Sequence, residues 1–327
     1  MTTAEFGPQG TLRVTRWPSE LPLQAVCIIV SIGIYALLAV SIVGLFYAAG
    51  FALFFFVAHA ILLAYVRGSA VRLGSDQFPE LHRRVHELAV RIGLDDVPDA
   101  YLMQAGGALN AFATRLFGLH VIVLYSDLLE ACGDDDAARD MIIAHELGHI
   151  KAGHLRLRWL LAPAMAIPFL GSALSRAREY TCDRFGLAGA GDREGALLGL
   201  TILAAGAKHA RSVNRQALAR QRADLDTGWL TIGEWLGGHP PLSKRLGALD
   251  PALHAGTLPA HTGRVRALVI VGLWVVLVVL GVSLLAIGAS PAFRRELDRQ
   301  RALQRQQYEQ SPPDVLDSGG TGPARMP

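Results

Sequence analysis

The stretch IIAHELGHIKAGH, residues 142–154, carries three histidines and a glutamate in an otherwise apolar frame. His145 and His149 stand four residues apart. On an α-helix that step overshoots a full turn by about 40°, so both rings leave the same face, one turn apart. This spacing suits two nitrogen bonds to a single zinc ion. Glu146 lies next to His145, where it can reach a water on such an ion without binding the metal itself. Asp134, Asp135 and Asp136 precede the stretch and suit the positive end of a helix dipole. Ala138, Met141, Ile142 and Ile150 supply a buried stripe, and Gly148 leaves room for a close neighbour. The segment is expected to form a helix bearing a metal site.

A catalytic zinc site needs a third protein ligand and an open position for water. Two candidates exist. His154 is nearest, but on a continuing helix it points about 140° away from His149. No glycine falls where the pattern HExxHxxGxxH would need one. The second candidate is SRAREYTCDRFG, residues 175–186, where Glu179 and Asp183 share a helix face at i, i+4. Glu179 can complete a His-His-Glu set. Asp183 is placed to accept a ring N–H from a ligand histidine and fix its tautomer. This second arrangement fits better, with one Zn²⁺ per chain.

Between the apolar stretches lies a small sheet. AYLMQ (100–104) and HVIVLYSD (120–127) read as strands, and LNAFATRLFG (109–118) between them as extended, with turns at Gly106–Gly107 and Gly118. An antiparallel arrangement is expected. Phe78, Leu81, Val85, Leu88 and Ile92 recur at helical spacing and predict an amphipathic helix ending near Gly93.

The flanks are built for lipid. Hydrophobic residues make up 51% of the 327 residues, and mean hydropathy is +0.32. Leu21 to Val66 holds no Lys, Arg, Asp or Glu and predicts a helical hairpin over 21–66 that turns around Tyr47–Gly50. Ala267 to Ala289 predicts a third crossing, in a segment 265–289. The polar lead before the hairpin, 1–20, argues against a cleaved signal peptide. Arg13 and Arg16 precede the first span and Arg67, Arg72, Arg83 and Arg84 follow the second. The positive-inside rule therefore puts the central region 67–255 in the cytoplasm. Arg294, Arg295, Arg299, Arg301 and Arg305 after the third block pull the other way. The tail 290–327 is expected to be basic, then disordered from about Gln306. Cys27, Cys132 and Cys182 show no paired spacing, which suits a reducing compartment. A net charge of +3 gives no reason to expect a nucleic-acid partner and leaves the bilayer as the partner of the basic flanks. Trp159–Leu174, apolar and interrupted by Pro163 and Pro168, is too short for two crossings. If His149 and Glu179 share an ion, a single crossing is forbidden. Residues 157–174 are thus expected to be a re-entrant or capping segment, or a buried hairpin.

HELGH with a downstream ExxxD resembles the gluzincin metalloproteases of the HtpX type, relatives of the CAAX prenyl endopeptidases. LNAFATRLFG resembles that family's asparagine-containing edge strand, SRAREYTCD its third-ligand helix, and HPPLSKRL (239–246) its downstream His-Pro…Arg-Leu element. The likeness covers roughly Phe78 to Leu249 and the general layout of the hairpin. The apolar excursion between the two motifs is shorter here than is usual for HtpX-type proteins. The resemblance implies an α+β fold, with a mainly helical zincin-like domain, a small antiparallel sheet and transmembrane helices. It implies His145, His149 and Glu179 as zinc ligands, Glu146 as base, and His239 close to the site. His239 is then the first candidate to donate to the oxyanion, Arg245 the next. Asn110, Ala111, Phe112, Ala113 and Thr114 are expected to pair with the backbone of polypeptide substrates. The expected protein is a multi-pass endopeptidase of the cell membrane acting on misfolded or membrane-associated proteins. A silent zinc-containing scaffold or chaperone and a prenyl-protein processing protease are the alternatives. Glu146, the residue a silent scaffold would lose, favours an enzyme.

Overall fold

The structure, a computed structural model, describes residues 4–6, 12–116, 118–254 and 262–310. The chain falls into two units, Met1–Ala267 and Leu268–Pro327. The first opens with two short antiparallel strands, β1 (Ala4–Phe6) and β2 (Leu12–Val14). Two long apolar helices follow, α1 (Glu20–Ala39) and α2 (Ile42–Ser69). Their turn falls at Val40–Ser41, not around Tyr47–Gly50, which lies inside α2. The reason is local chemistry: the Ser41 hydroxyl accepts from the Gly44 amide at 2.8 Å and caps the new helix. Gly44 also lets the Leu38 carbonyl approach, since a Cβ there would sit 2.4 Å from that oxygen.

Next come β3 (Val71–Arg72), α3 (Pro79–Arg91), β4 (Asp99–Met103), β5 (Ala111–Leu116) and β6 (Leu119–Tyr125). The sheet order is β3-β4-β6-β5. It is mixed rather than antiparallel, because β4 and β6 run parallel. Gly118 (φ 87°) turns β5 back into β6, and β5 takes the outer edge of that hairpin. The chain reverses twice between β4 and β6, so those two neighbours point the same way. The strands lead into α4 (Ser126–Cys132) and then the central helix α5 (Asp136–Lys151).

Asp135 caps α5, its carboxylate accepting from the Ala138 amide at 2.8 Å. One flank of α5 packs Ile143 and Leu147 with Val85, Leu88, Ile122, Leu124 and Phe185. Another packs Met141 with Leu197, Leu200 and Leu246. Arg84 on α3 grips Asp140 on α5 through Nε at 2.9 Å and Nη2. With so much of its surface covered, the α5 backbone is held firmly where the histidines project.

The rest of the first unit comprises α6 (Arg158–Met165), α7 (Leu170–Ala190), α8 (Arg193–His209), α9 (Arg215–Arg220), α10 (Gly228–Leu236) and α11 (Leu242–Leu249). Helix α6 has eight residues with Pro163 inside, which is too short to cross a bilayer. Its Leu161 and Ala164 pack with Leu174 against Cys27 of α1, and the Ala164 amide donates to Ser31 Oγ at 3.1 Å. Toward the C-terminus come α12 (Thr262–Ala289) and α13 (Pro291–Gln310). The helix α13 runs through Gln306, where disorder was expected; residues 311–327 lie outside the described residues. Among the described residues, three helical stretches are long and apolar enough to cross a membrane: Glu20–Ala39, Ile42–Ser69 and Gly263–Ala286.

Candidate metal centre

Helices α5 and α7 cross at unusually close range, and glycines make that possible. A Cβ on Gly148 would lie 2.9 Å from Phe185 Cβ, and one on Gly189 would lie 2.2 Å from Ala144 Cβ. The crossing brings the rings of α5 onto the carboxylates of α7. His145 Nε2 lies 3.5 Å from Glu179 Oε2, and His149 Nε2 lies 3.4 Å from Glu179 Oε1. Two imidazole nitrogens and a carboxylate thus converge in the wall of one cleft. Nitrogen and oxygen donors of this kind, three in number with an open side, fit a zinc ion.

Asp183 stands one turn beyond Glu179. Its Oδ1 lies 3.1 Å from His145 Nδ1, close enough for strong attraction but off the line of a good hydrogen bond. Arg245 on α11 holds the other side of Asp183, through Nε at 2.9 Å and Nη2 at 2.6 Å. Burial favours a neutral His145, yet Asp183 and Glu179 raise its imidazole to about 10. Burial would raise Glu179, but the two histidines bring it well below the usual carboxylate range. Burial likewise opposes the Asp183 charge, and Arg245 overrides it, holding the carboxyl low. Arg245, expected as the second oxyanion donor, is a buried clamp on Asp183, with Nη1 also 3.7 Å from Glu179.

Cys182 is a rival neighbour. Ligand atoms of His145, His149 and Cys182 all lie within 4.8 Å of one another. The thiol is completely buried and takes no part in lining the cleft, whereas Glu179 does. Burial pushes it well above the ordinary thiol range, reinforced by the charges of Glu179, Glu146, Asp183 and Glu20.

His154 does not continue the helix. Helix α5 ends at Lys151, and Gly153 takes φ 75°. The His154 amide bonds the His149 carbonyl at 3.0 Å and the Gly153 amide bonds that of Ile150 at 3.0 Å, a Schellman stop. The ring is turned back behind His149, with Nδ1 3.0 Å from His149 Nδ1, on the side away from Glu179. Its other nitrogen meets Glu20 Oε1 at 3.1 Å. Burial, the first cause, and the nearby His149 and Arg178 outweigh Glu20 and push His154 down to about 4. Glu20 had no signal in the sequence beyond being a carboxylate at the edge of an apolar block.

The cleft has a volume of about 320 Å³. Glu146, His239 and Arg245 line it beside the histidines, with Asn110, Ala111, Phe112 and Ala113 along one rim. The Glu146 carboxylate makes no hydrogen bond or ion pair with another described residue. His239 is exposed at the mouth, Nε2 3.7 Å from Glu179 Oε1. Thr114, expected on the same rim, is buried against His59 of α2 at 3.3 Å and does not line the cleft. His59 Nε2 also sits 3.0 Å from the Arg115 carbonyl and so ties α2 to β5.

Comparison with known proteins places this geometry in context. A plastoglobule-localized metallopeptidase 48 of Arabidopsis thaliana chloroplasts is 28% identical over 176 residues, 49% of this chain and 50% of the relative. The chain therefore matches only about half the length of that curated protein. A crystal structure of S. mikatae Ste24p aligns over 70% of this chain and 63% of its own, with TM-score 0.42 and 18% identity. The profile of peptidase family M48 matches residues 75–167 and 157–252, together more than half of the chain. The chain belongs to peptidase family M48.

Proposed function

We propose that this protein is a membrane-bound zinc endopeptidase in which His145, His149 and Glu179 hold the metal. The observation that carries the reading is the pairing of both histidine Nε2 atoms with the two oxygens of one carboxylate, in a cleft that also presents Glu146. Glu179 is preferred over Cys182 because it borders the cleft, where a water and a substrate can reach the open position.

When bound, zinc acidifies a water and polarises a carbonyl. Glu146 takes the water's proton on its carboxylate and passes it to the leaving amine nitrogen. His239, at the mouth, donates an N–H to the carbonyl oxygen as charge develops there. Asp183 orients His145 through Nδ1, and Arg245 keeps Asp183 charged and in place. The edge strand β5 receives an extended substrate by adding a strand, a mode with little sequence preference. The Asn110 carbonyl accepts from the Tyr125 amide at 3.2 Å, so 110 and 125 form a hydrogen-bonded pair. Pairs alternate along an antiparallel ladder, so the amide and carbonyl of Ala113 face outward from β6.

Misfolded or membrane-associated polypeptides are the proposed substrates, since backbone pairing accepts any extended chain and apolar helices anchor the protein in a membrane. The cell membrane is the proposed location, with the catalytic region on the cytoplasmic side, following Arg67, Arg72, Arg83 and Arg84 after the second apolar helix. The test is Glu146→Gln in detergent-purified protein. Zinc content should stay at the wild-type level while peptide cleavage falls by about 10²–10⁴; undiminished cleavage rules out the mechanism.

A further inference from the structure

The two histidines of the proposed metal site are oriented from different parts of the chain. His145 has a carboxylate beside its Nδ1, from Asp183 on the neighbouring helix. His149 has none. Its Nδ1 faces a second imidazole, His154, and the carboxylate appears only behind that ring, as Glu20. Glu20 is the first residue of α1 and is completely buried.

The proton positions along this row follow from what each group can do. A carboxylate accepts and does not donate. Glu20 is held as an acceptor from several sides: Arg16 Nη1 donates to Oε1 at 2.7 Å, and the Thr181 hydroxyl donates to Oε2. The Trp17 amide fills a lone pair of Thr181 Oγ1 at 2.8 Å, and of the two acceptors that hydroxyl faces, Glu20 is far nearer than the Ala177 carbonyl at 3.3 Å and takes its hydrogen. His154 Nε2, 3.1 Å from Glu20 Oε1, must therefore carry the proton. A neutral His154 then has a bare Nδ1, which can only accept. Two groups face it, His149 Nδ1 at 3.0 Å and the weakly donating Cys182 thiol at 3.6 Å; two bare nitrogens would repel at 3.0 Å, so His149 Nδ1 carries the hydrogen between them. With its proton on Nδ1, His149 has its lone pair on Nε2, the nitrogen turned toward Glu179.

Resting on the metal-site reading above, we propose that Glu20 and His154 are positioning residues that set the tautomer of His149 through two successive hydrogen bonds. The metal-binding form of His149 thereby depends on the segment that leads into the first apolar helix. That segment is docked on α7 and on the end of α5 by further contacts. Arg16 Nη2 donates to the Ala152 carbonyl at 2.7 Å, Arg184 Nη1 donates to the Arg16 carbonyl at 2.9 Å, and Trp17 stacks on Tyr180 at 4.4 Å. Hydrogen-bond partners one shell out from a metal are commonly worth about 10–100-fold in affinity. Here the outermost carboxylate acts through an intervening ring, so its share is expected to be the smaller one.

The test is zinc affinity of the full-length protein in detergent, by competition with a chromogenic chelator. His154→Phe removes the acceptor and should weaken zinc binding by about 10–100-fold. Glu20→Gln should weaken it less. His154→Asn presents an amide oxygen near the place of the ring Nδ1 and should restore much of the affinity lost in His154→Phe. In the His154→Asn background, adding Glu20→Gln should change nothing further, because the link between the two is already cut. A purely structural role for Glu20 predicts equal weakening in both backgrounds, and that result overturns the proposal. If wild type binds zinc and both His154→Phe and Glu20→Gln match it, the relay is wrong while the metal site stands. If wild type binds no zinc, the metal-site reading fails and the relay with it. Should Glu20→Gln not fold, His154→Asn against His154→Phe decides alone, and equal affinities overturn the relay.

Discussion

Gly148 and Phe185 occupy the same point of the α5–α7 crossing, and the α-hydrogen of the glycine is what lets the ring in. A Cβ at Gly148 would stand 2.9 Å from Phe185 Cβ and 3.1 Å from ring atoms Cγ and Cδ2. The helices can approach only because that carbon is missing, and on this approach depends the reach of Glu179 to both histidines.

Gly148→Ala should therefore destabilise the protein despite alanine's better helix propensity. Propensity favours the substitution by about 1 kcal/mol, while overpacking a tight crossing costs about 1–3 kcal/mol. The expected result in thermal unfolding is a lower midpoint together with lower zinc retention. A raised midpoint with full zinc would mean the crossing has slack.

Glu179→Ala and Cys182→Ala separate the two possible third donors. Glu179→Ala should empty the site of zinc on dialysis, because the remaining histidines offer only two donors. Cys182→Ala should keep its zinc, since the thiol lies behind the site and outside the cleft. Its cost should be confined to packing. Metal analysis of the two purified proteins checks this, and the reverse pattern would reassign the ligand.

Ala113→Pro probes the edge strand. On the alternation set by the Asn110–Tyr125 pair, this amide does not serve the bond to β6, so the sheet should survive. Proline is tolerated at such edge positions. A substrate strand would lose its backbone partner. Cleavage of an unfolded protein should fall at least tenfold, about 1.4 kcal/mol, with zinc content unchanged. Unimpaired cleavage would show that substrates enter another way.

Metal removal should be coupled to one proton. In the metal-free protein His145 is raised from 6.5 to about 10. Its contribution to folding is complete below about 6.5 and disappears as pH rises through about 10. Zinc must displace that proton, so apparent zinc affinity should climb from about pH 7 to about pH 9, by up to about tenfold per unit. Chelator competition across this range measures the slope, and a flat profile would mean that His145 is neutral before metal arrives.

Much of this protein can be read along the chain because the information is local. The 3.6-residue turn alone puts His145 and His149 on one face, and the same rule pairs Glu179 with Asp183. Charge-free runs of crossing length announce the apolar helices, and AYLMQ and HVIVLYSD announce strands that the structure forms as β4 and β6. Where a prediction needed an endpoint it depended on single capping residues. Ser41 moved the hairpin turn, and Gly153 stopped α5 short of His154, which a continuing helix would have swung away.

What the tertiary structure decided are the contacts between segments with no common period. The direction of β4 against β6 depends on which edge β5 takes, a matter of sheet order that no single strand encodes. The clamp of Arg245 on Asp183 joins residues 62 apart. The meeting of Glu20 with His154 joins residues 134 apart. In sequence each is an ordinary polar residue with no sign of its partner. They join the proposed metal centre because burial removes water from around them, and a charge without water must find a partner within hydrogen-bond distance. Composition and periodicity determine which faces are hidden. Only the packed arrangement determines which polar groups are hidden together, and that choice decides how the two histidines are held.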